Sequence, residues 1–118
     1  MNKSIFNTLL MNSPLNIVNQ IKQVKLLKYE ADYKLWSTSG YFVNLKNAIE
    51  DVKKFKNTLE WIQIKRNTLD LYNELPRDKK DEIILVLGMH EVETTLENII
   101  AFILLIATFV GLETKGLL

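Results

Sequence analysis

The chain has no cysteine, one histidine, two prolines and four glycines in 118 residues. The missing cysteine removes disulfides, thiolate zinc sites and thiol nucleophiles, and leaves the redox compartment open. So few glycines and prolines argue against a β-sandwich, which needs many tight turns, and suit a handful of helices. No GxGxxG or P-loop run is present to cradle a phosphate. Ser13, Ser37 and Ser39 fall at expected caps and turns, and no serine sits in a GxSxG setting beside a base. A secretory signal is also missing from the pattern. The opening MNKSIFNTLLMNS has one Lys and an apolar stretch broken by Asn7 and Thr8, so residues 1–12 are expected to remain in the mature protein.

What the chain does have is apolar substance: 47% hydrophobic and 25% charged residues, the balance of a folded protein rather than a disordered one. At this length one domain, residues 1–118, is expected. Net charge is only +1 but unevenly spread. Residues 1–80 hold fourteen of the fifteen basic side chains and eight of the fourteen acids, whereas residues 81–118 hold Lys115 against six acids. Either the two parts neutralise each other by packing, or the first offers a basic face to nucleic acid or anionic lipid.

The densest signal lies in Ile99–Leu112, IIAFILLIATFVGL, fourteen residues without a charge. Apolar side chains occupy every face, so this helix must be covered on all sides by protein or by lipid. A membrane span needs about twenty apolar residues. Glu97 and Glu113 bracket the run too closely, and no Trp or Tyr belt flanks it. A helix buried in protein or in an oligomer is therefore expected, with a membrane anchor as the alternative.

Elsewhere the periodicity predicts an all-α fold, a small bundle of three long helices plus a short N-terminal one. Ser13 and Pro14 open a helix to Trp36, with one stripe at Ile17, Ile21, Val24, Leu27, Ala31 and Leu35 and another at Leu26, Tyr29, Tyr33 and Trp36. A competing reading alternates Leu27, Tyr29, Ala31, Tyr33 and Leu35 with charged residues, as one arm of a β-hairpin over residues 27–45. The second helix runs from about Leu45 to Leu75, with Asn47 and Glu50 as a capping box. Its stripe Leu45, Ala48, Val52, Phe55, Leu59, Ile62 and Leu69 is joined by an opposite one at Trp61, Ile64, Leu71 and Leu75. Two-sided burial would follow from Trp61 onward. Pro76 ends that helix, Asp78 is a plausible cap, and a third helix spans about Lys79 to Leu112, broken near Gly88.

Chemistry-bearing constellations are sparse. His90, Glu93 and Glu97 would share a face of one continuous helix, but Leu87 stands where a Glu-x-x-His iron motif needs its carboxylate, and a zinc site would lack ligands. Catalytic, cofactor and metal residues are accordingly assigned to none, and the protein is read as non-enzymatic. The remaining candidate is an interaction surface formed by Lys22, Lys25, Leu26, Tyr29, Tyr33 and Trp36, joining positive charge to amphipathic aromatics. Such a face binds protein or stacks bases; alternatively it is aromatic core beneath a rim of Lys stems. Two arginines in the whole chain argue against phosphate recognition. The expected function is a small cytoplasmic interaction module, a regulator, inhibitor or assembly subunit bound to a protein partner or to itself. A membrane-associated subunit anchored by residues 99–112 and a nucleic-acid-binding accessory protein are the alternatives.

Burial of the apolar run makes a direct prediction. Leu105→Asp would place an unpaired carboxylate in an apolar interior, costing several kcal/mol unless it protonates. The variant should unfold in plain buffer while the parent purifies from the soluble fraction. Recovery of the parent only from membranes would contradict burial in protein.

Overall fold

A computed structural model describes residues 26–114. A 3-10 turn at Leu26–Tyr29 leads into α1 (Glu30–Ser39), followed by α2 (Leu45–Lys53), α3 (Leu59–Glu74), α4 (Arg77–Met89) and α5 (Leu96–Thr114). No strand occurs among the described residues, so the hairpin over 27–45 gives way to helix. Glu, Ala, Lys and Leu in that stretch favour helix, and Glu30–Lys34 adds an i,i+4 ion pair at 2.6 Å. The expected short N-terminal helix, with Ser13 and Pro14, lies outside the described residues.

At the centre stands α5. Every residue from Ile99 to Val110 is buried, most of them completely. The other four helices lie around it, and α2 makes the most extensive contact. Thr108, the polar residue of the run, satisfies its hydroxyl by donating to the Leu104 carbonyl at 2.9 Å. No described helix is long and apolar enough to cross a membrane.

The expected helix over 45–75 is divided in two, and the helix over 79–112 is broken near Gly88 as its sequence suggests. The 45–75 segment breaks at residues 54–58, where Thr58 caps α3: its hydroxyl accepts from Trp61 N–H at 3.3 Å. The 79–112 segment breaks just beyond Gly88. There Val92 N–H donates to the Leu87 carbonyl (2.9 Å) and Glu91 N–H to the Gly88 carbonyl (3.1 Å), a Schellman closure with Val92 and Leu87 both buried. Glu91 occupies the left-handed position, at φ 58°, that glycine usually fills. Thr95 then caps α5, accepting from Asn98 N–H at 3.2 Å, while the Asn98 amide donates to the Glu93 carbonyl at 2.7 Å. At α1 a glycine does take the left-handed position. Gly40, φ 74°, donates its N–H to the Trp36 carbonyl and ends the helix.

Other caps differ from expectation. No side chain caps α2; its Asn44 N–H is instead taken by the buried Asp32 carboxylate at 3.0 Å, which ties α1 to the start of α2. Asn47 and Glu50 are exposed positions inside that helix. Pro76 does end α3, with Leu75 extended before it, but Pro76 itself stands at the start of α4, and Asp78 lies in its first turn.

The break at 54–58 resets the helical phase, and this corrects the two-sided burial expected from Trp61 onward. Leu45, Ala48, Val52 and Phe55 are buried, but the continuation of their stripe is not: Leu59 is 83% exposed and Ile62 59%. The opposite stripe turns inward instead, with Trp61, Ile64, Thr68 and Leu75 against the core.

Two outcomes follow. Trp61→Ala should cost about 3–5 kcal/mol, as for other large core truncations, while Ile62→Ala should stay within about 0.5 kcal/mol of the parent in dilute solution. Equal losses in denaturant titrations would contradict the one-sided burial of α3. Glu91→Gly relieves a left-handed side chain and should stabilise the protein by up to about 1 kcal/mol. A lower midpoint would mean that the Glu91 side chain contributes more than its backbone conformation costs.

Candidate interaction surface

The face expected to bind a partner is divided by the fold. Lys22 and Lys25 lie outside the described residues, and Leu26 opens the 3-10 turn. Tyr29, Tyr33 and Trp36 are buried at 6%, 1% and 7% exposure. Tyr33 stacks on Phe109 of α5 at 5.1 Å between centroids and 12° between planes. Trp36 meets Phe102 edge-on at 6.3 Å and Phe42 at 5.6 Å, and Phe42 in turn meets Phe102 at 6.0 Å. These contacts fasten α1 and the 40–44 loop to α5, each worth about 0.5–1.5 kcal/mol beyond the area buried. The aliphatic stripe of the same helix turns outward, with Ala31 exposed and Leu35 40% exposed.

At the rim of this cluster, Asp51 of α2 gathers three donors. The Tyr29 hydroxyl donates at 2.9 Å, Lys28 lies at 3.0 Å and Lys54 at 2.9 Å. Lys28 also sits 4.8 Å from the centre of the Tyr29 ring. Burial alone would raise the Asp51 pKa, but hydrogen bonds from Lys54, Lys28 and Tyr29 outweigh it and leave the carboxyl below its usual range. Asp51 in turn raises the pKa of Lys28, and burial raises that of the Tyr29 phenol. This node joins the 3-10 turn to α2.

Surface apolar groups collect elsewhere. On α3, Leu59 and Ile62 lie one turn apart and continue through exposed Arg66 to half-buried Leu69. On α4, Leu85 is 64% and Met89 61% exposed, four residues apart on one side. At the end of α4, His90 meets the exposed ring of Tyr41 at 5.6 Å, which brings the 40–44 loop against that end. Sequence reasoning assigned Leu59 and Ile62 to the core because their spacing continues that of Val52 and Phe55. Only the Asn57-Thr58 cap signal marks the change of phase.

A cleft of about 310 Å³ separates α2 from the α4–α5 connection. Lys46 and Lys53 line one side and Glu91 and Glu93 the other, with Glu50 pairing Lys53 at 3.4 Å. It brings together opposite charges without a nucleophile beside a base. The helix break also separates His90, at the end of α4, from Glu97, which lies in the first turn of α5 and faces Lys56 at 4.0 Å. No group of three metal-binding side chains occurs among the described residues. Comparison with protein families, characterised proteins and solved structures finds no match to this chain.

The Asp51 node predicts a pH effect with a definite sign. Because its folded pKa is lowered, the unfolded chain takes up the proton first as pH falls, so protonation favours unfolding. Asp51→Asn should therefore be less stable than the parent near neutrality. The gap should close as pH drops from the ordinary aspartate range through the lower folded value. A stability gap that persists unchanged into strong acid would show that Asp51 contributes by packing, not by charge.

Proposed function

We propose that this protein is a non-enzymatic helical module that acts by binding protein through the outer ridges of α3 and α4, as a regulator, inhibitor or assembly subunit of the cytoplasm. The observation that carries this reading is the exposure of Leu59, Ile62, Leu85 and Met89, each more than half exposed, around a core that closes without them. Large aliphatic groups grouped on helix faces, rather than scattered singly, mark surfaces that are covered in use. The proposed binding face thus moves from the aromatic stripe of α1, which packs inward, to α3 and α4.

The alternatives fit less well. A lipid anchor through residues 99–112 would have to pull α5 out from among the helices that cover Ile99–Val110. Nucleic-acid binding needs cations free to meet phosphates. Lys28, Lys34, Lys53 and Lys54 each lie within 3.4 Å of a carboxylate, and the unpaired Arg66 and Arg77 share their helix faces with Asp70 and Asp81 one turn away, which repel phosphate.

A photo-crosslinking side chain introduced at Ile62 or at Leu85 in the native host tests the proposal. Discrete protein adducts are expected from both positions and not from exposed Thr38 of α1. An absence of adducts from both ridge positions would overturn it.

A further inference from the structure

The two ridges carry complementary patterns when read in opposite directions. Along α3 the outward positions are Leu59, Ile62, Arg66 and Asp70; along α4 they are Arg77, Asp81, Leu85 and Met89, all of them exposed. Set antiparallel, Leu59 falls opposite Met89, Ile62 opposite Leu85, Arg66 opposite Asp81 and Asp70 opposite Arg77. The spacing agrees along the whole length, since the eleven-residue step from Leu59 to Asp70 covers about 17 Å and the twelve-residue step from Arg77 to Met89 about 18 Å. A parallel pairing would instead set Leu59 against Arg77, Ile62 against Asp81, Arg66 against Leu85 and Asp70 against Met89. Arg66, Asp70, Arg77 and Asp81 form no salt bridge within the described residues, so all four charges remain available to an outside partner. Gly88 lies on the same outer side of α4, and a Cβ added there would meet nothing within 4 Å, so a second helix has room to approach.

We infer that the partner of these ridges is a second copy of the chain, α3 of one copy lying antiparallel on α4 of the other. This rests on the ridges being protein-binding surfaces and names what binds them. Each copy supplies both patterns, and self-complementarity of this kind is what a symmetric interface requires. Apolar pairs at Leu59–Met89 and Ile62–Leu85 supply the buried contact. The Arg66–Asp81 and Asp70–Arg77 pairs select the antiparallel register, since the parallel one would cover each charge with an apolar side chain and leave it without a partner.

A charge-exchange cycle read by sedimentation tests the inference. The parent should associate to at least twice its 13.7 kDa mass. Arg66→Asp and Asp81→Arg should each weaken association about tenfold, because each sets like charges face to face. The double variant should recover most of the loss. Both positions are exposed and unpaired, so circular dichroism should stay that of the parent in all three variants. A parent that remains at monomer mass at millimolar concentration would overturn the inference, as would single reversals without effect or a double variant no better than either single. Crosslinked adducts from Ile62 composed only of other proteins, with a monomeric parent, would remove self-pairing and leave the ridges as binding surfaces. An absence of both adducts and association would remove the two together.

Discussion

A helix with no polar face cannot stand at the edge of a protein, and α5 imposes that condition on every other element. Twelve consecutive residues, Ile99–Val110, must be kept from water in all directions. At about 1.5–3 kcal/mol for each large aliphatic or aromatic side chain removed from water, this segment is the largest apolar contribution among the described residues. Each surrounding helix supplies the face that α5 demands: aromatics from α1, small and branched aliphatics from α2, Trp61 and Ile64 from α3, Ile83 and Leu87 from α4. The charges that remain sit on the outer sides of those helices.

Wrapping a single straight rod with long helices would cover it on only a few sides. The breaks at residues 54–58 and 90–95 convert the long apolar segments into shorter helices that can turn around it. Each break is closed by local hydrogen bonds: Thr58 and Thr95 cap the helices that follow, and the Glu91 turn satisfies the last carbonyls of α4. Asp32 and Asp51 tie α1 and the 3-10 turn to α2 with charge-assisted bonds. The polar contacts that join one element to the next thus gather at the junctions between helices.

Helical class, the boundary at Pro76 and the burial of residues 99–110 were legible in the sequence because each rests on a strong local rule. The break near Gly88 was legible too, from that glycine and the polar residues after it, whereas the break at residues 54–58 was harder to read. Residues 54–58 contain neither glycine nor proline, and apolar spacing runs through them unbroken from Val52 to Ile62. A periodicity argument joins such segments, and a cap such as Asn57-Thr58 is a weaker signal than the stripe it interrupts. The inward turn of Tyr29, Tyr33 and Trp36 was equally ambiguous from one helix alone. Two apolar stripes were available, and the choice depended on Phe102 and Phe109, some seventy residues away in sequence and in contact only once the chain has folded. Errors of phase of this kind move the interaction surface: the stripe taken as core becomes the exposed ridge, and the face taken as surface becomes core.

The central claim is that α5 is enclosed by protein and is the last element to open. Native-state hydrogen exchange measures this residue by residue. Amides from Phe102 to Thr108 should be the slowest in the chain and should exchange only through global unfolding, with the same denaturant dependence as the whole molecule. Exchange of these amides through local openings, at rates like those of α1 or faster, would show that α5 is not enclosed and would contradict the account.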